Sequence, residues 1–193
     1  MVDGVSPPSG SRKRSDARRN EEMLLAAAAA AFVSSGVDAP VRDIAARAGV
    51  GVGTIYRHFP TRADLIAAVY RHQVEACAQA GPNLLRNNTS AVDALVAWVD
   101  QFIDFLVTKH GLASAMRSDS AALQTLHAFF LERLVPVCAE ILEAAAAAGE
   151  IIPDVNAYSL MRAIGNLCIG ADNDPTYNAR EMARHLITGL RRQ

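Results

Sequence analysis

The sequence predicts an all-α fold of about nine helices, because apolar residues recur at three- and four-residue spacings along most of its length. Gly and Pro interrupt that pattern at intervals suited to helix ends. No stretch alternates apolar and polar residues as a half-buried strand would. With 51% hydrophobic and 20% charged residues, the body is globular rather than disordered. A chain of 193 residues can bury a sizeable core, in one large domain or two small ones.

Residues 1–17 are rich in Ser, Pro, Gly and basic side chains and are expected to form a disordered basic tail. Arg18 to about Ser34 reads as the first helix, since Ala and Leu are strong helix formers and Gly36 suits its end. Its core face is expected from Met23, Ala26, Ala27, Ala30 and the pair Phe32-Val33. The basic stretch followed by LLAAAAAAFV has the outline of a secretory signal. Glu21 and Glu22 against the apolar run, and the lack of a small-residue cleavage site, argue against one. The run is also too short to span a bilayer, and nothing else resembles a membrane segment, so a cytoplasmic location is expected.

A short helix follows from Pro40 or Val41, with Ile44, Ala45 and Ala48 on one face and Gly49 at its end. A second short helix fits Gly51 to His58, closed by Pro60. Thr61-Arg62-Ala63-Asp64 then forms a capping box for a helix carried by Leu65, Ala68, Val69 and Val74 to about Gln79. Gly81-Pro82-Asn83 is expected to stop it, leaving LLRNNTS as a loop. From Ala91 to Lys109, Asp93, Ala97, Asp100 and Asp104 make a polar stripe. Opposite it lies a wide apolar face of Leu95, Trp98, Val99, Phe102, Ile103, Phe105 and Leu106. A short helix near Leu112–Met116 follows, then a long one from Ser120 to about Ala148 with a kink at Pro136. Val155–Ala171 and Ala179–Arg191 complete the set.

Charge is unevenly spread. Residues 1–72 hold ten Lys/Arg against seven Asp/Glu, whereas residues 73–193 hold nine against thirteen. A basic first third on an acidic remainder points to one part meeting an anion. That part contains AGVGVGTIYRHFPTRAD, with Gly49, Gly51 and Gly53 set directly before an aromatic and basic run. Two short helices joined by a tight Gly-containing turn read as a helix-turn-helix: Ala45 permits close approach, Gly49 makes the turn, and Val50 and Ile55 plug the angle.

The second of these helices is then the one that enters a DNA major groove. Val52 and the Thr54 methyl are suited to thymine methyls, and Gly51 and Gly53 start the helix and leave the backbone room to approach. Arg57 can make a bidentate contact with guanine or a phosphate contact, and Tyr56 and His58 suit phosphate oxygens. Arg42 and Arg62 flank the groove, and the helix start at Thr61 adds partial positive charge.

The stretch VRDIAARAGVGVGTIYRHFPTRADLIAAVY resembles the DNA-binding region of the TetR family of bacterial transcriptional regulators. RRNEEMLLAAAAAAF is similar to that family's first helix. The resemblance implies a helix-turn-helix over about 40–59 within a DNA-binding domain of 18–72, and a helical ligand-binding and dimerisation domain of 73–193. It implies a homodimer that binds a palindromic operator in double-stranded DNA and represses transcription until a small-molecule effector binds. The chain departs from the pattern at Gly51, often Ser in relatives, and at Val52, frequently Lys. Dimerisation through the last two long helices is implied, and Ala163, Gly165 and Gly170 would let helices approach there. Trp98, Phe102, Phe105, Met116, Phe129, Phe130 and Met161 are candidate lining for the effector pocket.

Other chemistry is not encoded. Cys77, Cys138 and Cys168 are scattered and read as small buried side chains. The histidines lack metal-ligand spacing, so neither a metal nor a cofactor is expected. Asp172-Asn173-Asp174 begins like a calcium loop, but Pro175 follows and the rest of the motif is missing. No nucleophile elbow, phosphate loop or dinucleotide fingerprint is present, which argues against an enzyme. The alternative reading is a small-molecule binding protein with a vestigial DNA-binding domain, which the less polar Gly51 and Val52 would fit.

Overall fold

A computed structural model of the chain describes the backbone of residues 9–115, 120–169, 171, 174 and 176–192, and side chains from residue 18 onward except 107–120. These residues form eight helices: α1 Ser9–Ser35, α2 Val41–Ala48, α3 Val52–His58, α4 Arg62–Asn87, α5 Ala91–Ala115, α6 Ser120–Ala147, α7 Ala157–Leu167 and α8 Ala179–Thr188. The extended pairing among the described residues is a single antiparallel bridge, Ile151 with Arg191. The expected ninth helix near Leu112–Met116 is not a separate element: α5 runs on through Ala115, and Met116 lies outside the described residues. The chain divides into two compact units, with the boundary between His72 and Gln73, inside α4.

In the first unit α1 packs on α2, and α2 on α3. α1 starts at Ser9, so residues 9–17 are helical rather than part of a disordered tail. Once an apolar segment nucleates a helix, Arg, Lys and Ala ahead of it propagate the structure at little cost. Its buried face matches the expected one only at Phe32. Leu24, Leu25, Ala28, Ala31 and Phe32 are buried, while Met23 and Val33 are each 56% exposed. A run of alanines carries no helical phase of its own, so packing against α2 decides which side turns inward.

The second unit is built around α5, which contacts α6, α7 and α8. Its predicted apolar face is buried from Leu95 to Leu106, with Trp98 fully enclosed and its indole N–H donating to the Cys77 carbonyl at 3.0 Å. The predicted polar stripe meets α8: Arg180 donates to Asp100 and Asp104, and Arg184 to Asp100 at 2.7 Å. Glu150, just beyond α6, caps the start of α5 by accepting the Val92 N–H at 2.8 Å and the Ala91 N–H at 3.4 Å.

α4 does not end at Gly81-Pro82-Asn83 but continues to Asn87, so most of the expected loop is helical. Proline removes a backbone donor and crowds the preceding turn. Here Gly81 is buried against Val137 and Ile141 of α6, a contact so close that a Cβ on Gly81 would collide with Val137. Tertiary packing thus holds the helix through a local breaker. α6 likewise continues through Pro136. α7 and α8 are shorter than expected, chiefly because they end early, at the caps Cys168 and Gly189; Asn156 and Asn178 cap their first turns by accepting from Ser159 and Glu181.

Candidate nucleic-acid interface and effector cavity

The turn between α2 and α3 is fixed by backbone geometry. Gly49 takes the left-handed conformation at φ 66°, which a Cβ would penalise. Its N–H donates to the Ala46 carbonyl at 3.3 Å and the Val50 N–H to the Ala45 carbonyl at 3.0 Å, the paired closure of a Schellman motif. Gly51, extended at φ −75° and ψ 148°, accepts the Thr54 N–H at 2.9 Å and starts α3 without a side-chain cap.

α3 has two unlike sides. Ile55 is buried, and Phe59 just beyond the helix is buried with it. Turned outward are Val52, Gly53, Tyr56, Arg57 and His58, with Thr54 half-buried. Tyr56 is 46% exposed, which leaves its ring and hydroxyl open to a partner. A Cβ on Gly53 would have nothing within 4 Å, so the backbone there faces open space. Residues 40–62 hold Arg42, Arg47, Arg57 and Arg62 against one acid, Asp43.

Two flanking residues are held by hydrogen bonds of their own. The Thr61 hydroxyl and N–H both donate to the Asp64 carboxylate, at 2.7 and 3.0 Å, and the Asp64 N–H returns to the Thr61 hydroxyl at 3.1 Å. This is the capping box read from the sequence. Arg62 is half-buried, with Nε donating to the Val37 carbonyl at 3.1 Å and Nη2 to the carbonyls of Val37 and Ala39. It ties the start of α4 to the segment ahead of α2, rather than standing as a simple flanking charge. Arg42 is exposed in the first turn of α2.

The second unit contains a cavity of about 320 Å³ between α5, α6 and α7. Of the seven candidate lining residues, Phe102, Phe130 and Met161 reach it. Trp98 stands behind Phe102, the two rings parallel within 6° and 5.5 Å apart. Phe105 stacks on Phe102 and Phe130 but lines a shallower recess with Gln73 and Asp104. Phe129 is half-buried away from both. Sequence reasoning missed His127, Tyr158, Arg162 and Ile169, and Gly165, expected at a helix contact, also lines this cavity. The recurrence of Tyr158, Arg162 and Gly165 on one side of α7, with Ile169 just beyond it, is the signal that could have found those on this segment.

The three cysteines are buried, and burial pushes the thiols of Cys77 and Cys138 up to about 12, so both stay protonated at neutral pH. Among the described residues no cluster of His, Cys, Asp or Glu could hold a metal ion, and no helix is long and apolar enough to cross a membrane.

A short helix that buries one side in a helical frame and holds the other open to solvent offers side chains to a DNA groove. The first unit is therefore the DNA-binding part of a helix-turn-helix transcriptional regulator, and the second carries a cavity of small-molecule size. The chain belongs to the TetR family. Residues 24–69 match the bacterial regulatory proteins of the tetR family, and residues 90–192 match the C-terminal domain of SbtR-like transcriptional regulators. The TetR regulator SCO0520 from Streptomyces coelicolor is 34% identical, with a TM-score of 0.77 over 89% of this chain and 98% of that one. A TetR regulatory protein from Mycobacterium vanbaalenii is 28% identical, with a TM-score of 0.71 over 93% and 99%. A regulator from Saccharomonospora viridis, solved in complex with choline, is 20% identical with a TM-score of 0.63 over 89% and 94%, a likeness of fold alone. No curated protein matches the chain.

Proposed function

We propose that this regulator is a cytoplasmic homodimeric repressor that binds a palindromic operator and is released by a small-molecule effector. The observation that carries the DNA side is the two-sided α3, with Ile55 and Phe59 inward and Val52, Tyr56 and Arg57 outward. Arg57 and the Thr54 methyl read bases, Tyr56, His58 and Arg42 contact phosphates, and Gly51 and Gly53 let the backbone approach. Thr61 and Arg62 position the start of α4 beside the groove.

Exposed apolar side chains on the last two helices and the segment after α7 support dimerisation. Met182 of α8 is 43% exposed, Tyr158 of α7 41% and Ile169 67%. Ala163 and Gly165 are small enough for close helix approach. Gly170 lies outside the described residues. Tyr158 of α7 and Ile169 beyond it also line the cavity, so an effector seated there touches the surface that would set the dimer's geometry. It would shift the population toward dimers whose recognition helices no longer match successive DNA turns. The choline-bound S. viridis regulator of the same fold supports a small-molecule effector in general.

The test is selection of bound DNA from a random pool, followed by footprinting of the enriched site. A two-fold symmetric footprint with half-sites about one helical turn or a multiple apart is expected. A protein that enriches no sequence, or binds as a monomer by light scattering, contradicts the proposal.

A further inference from the structure

The cavity of the second unit has an aromatic wall and a charged end, and together these select a ligand class. Phe102 and Phe130 stand 5.9 Å apart with planes 18° from parallel, and His127 continues the stack at 5.7 Å and 17° from Phe130. Trp98 braces Phe102 from behind. Phe102 and Phe130 are 1% and 5% exposed, so the stacked rings are locked by their neighbours and border the cavity as a fixed apolar wall. On α7, Gly165 has no Cβ, and nothing lies within 4 Å of where one would stand. The rings and the bare α7 backbone line the same cavity, which therefore suits a compact apolar body.

Polarity decides what that body carries. Arg162 lines the cavity and its Nη1 donates to the Tyr158 hydroxyl at 3.2 Å, so guanidinium and phenol form one polar end. Among the described residues no carboxylate pairs with Arg162, and none of the cavity's described lining residues is acidic. A guanidinium in a fixed fork geometry favours a carboxylate and repels a cation. The volume, about 320 Å³, lies at the lower end of small-molecule sites, roughly 300–1,000 Å³. We infer that the effector is a small carboxylate with a compact apolar body, the body seated in the cavity lined by Phe130 and Gly165 and the carboxylate on Arg162. This rests on the reading of the cavity as the effector site.

The full-length protein is titrated calorimetrically with 1-naphthoate, its methyl ester, and 1-naphthylmethylammonium. Fluorescence of Trp98, the sole tryptophan, serves as a second readout next to the ring wall. Naphthoate should bind saturably at one per chain, and the ester and ammonium analogues at least roughly tenfold more weakly, as expected for loss of a charged hydrogen bond. Arg162→Ala should weaken naphthoate by a similar factor and leave the ester unchanged, while Arg162→Lys recovers part of the loss. Gly165→Leu, which fills the cavity, should abolish binding of all three. If the ester or the ammonium analogue binds as tightly as naphthoate, yet binding is lost in Gly165→Leu, the cavity reading stands and the carboxylate assignment is wrong. If no probe binds, or binding ignores both Gly165→Leu and Arg162→Ala, the cavity is not the site and both fall.

Discussion

Arg62 donates from Nη2 to the carbonyl of Ala39 at 2.8 Å, joining the first residue of α4 to the segment that leads into α2. With its other donations to Val37, the guanidinium satisfies carbonyls that would otherwise lack partners where the chain turns between helices. The position therefore supports the orientation of the helix-turn-helix from within.

Arg62→Ala should lower the thermal stability of the first unit by roughly 1–3 kcal/mol, since buried acceptors are left unpaired. It should weaken DNA binding with little change in the slope of log affinity against log salt. A residue acting only as a phosphate clamp would behave oppositely, leaving the melt unchanged and lowering the slope by about one contact. Melting curves alongside binding isotherms at several salt concentrations separate the two.

On the exposed side of α3 the expectation is different. Tyr56→Phe should reduce affinity for all sequences alike, because a hydroxyl on phosphate carries no base information. Arg57→Ala should cost about 1–3 kcal/mol on the selected operator and relax base preference at one position per half-site. Neither substitution should move the melting temperature, as both side chains are exposed. Repeating the DNA selection with each variant is the check.

Gly81→Ala should destabilise the second unit by roughly 1–3 kcal/mol, although alanine is the better helix former. The added Cβ meets Val137 across the α4–α6 contact. Val137→Ala in the same chain should restore part of the loss, a coupling that denaturant melts of the two single variants and the double variant would reveal.

The Glu150 carboxylate is held below the usual carboxylate range, chiefly by the N–H of Val92 and then by that of Ala91, with Ser90 and Arg191 adding to the effect. A depressed folded-state pKa contributes stability that is present above the unfolded value and lost as pH falls through the folded one. Stability should therefore fall on acidification through that range, and Glu150→Gln should flatten this component while costing roughly 1 kcal/mol at neutral pH. Melts of both proteins across the acid range test it.

Much of the first unit is legible in the sequence because its signals are local. Gly49 ends a helix, Thr61 and Asp64 bond each other three residues apart, and Ile55 and Phe59 are the apolar residues able to hold α3 down. The effector cavity is less legible. Aromatic residues point equally to a core or a lining, and Trp98 proved to be core while Phe102 faces the space. Arg162 and Gly165 acquire a role only when α7 is set beside α5 and α6.

By itself the sequence determined the helical class, the helix-turn-helix with its turn and cap, and the acidic stripe of α5, because each rests on contacts a few residues apart. Tertiary structure alone decided which side of α1 is buried, that α4 continues through Pro82, that Arg180 and Arg184 meet Asp100, and where the cavity opens. In each case the local signal is silent or contrary: alanine has no preferred side, proline argues for a break, and a charge does not name its partner. Packing between elements distant in sequence supplies the energy that settles them.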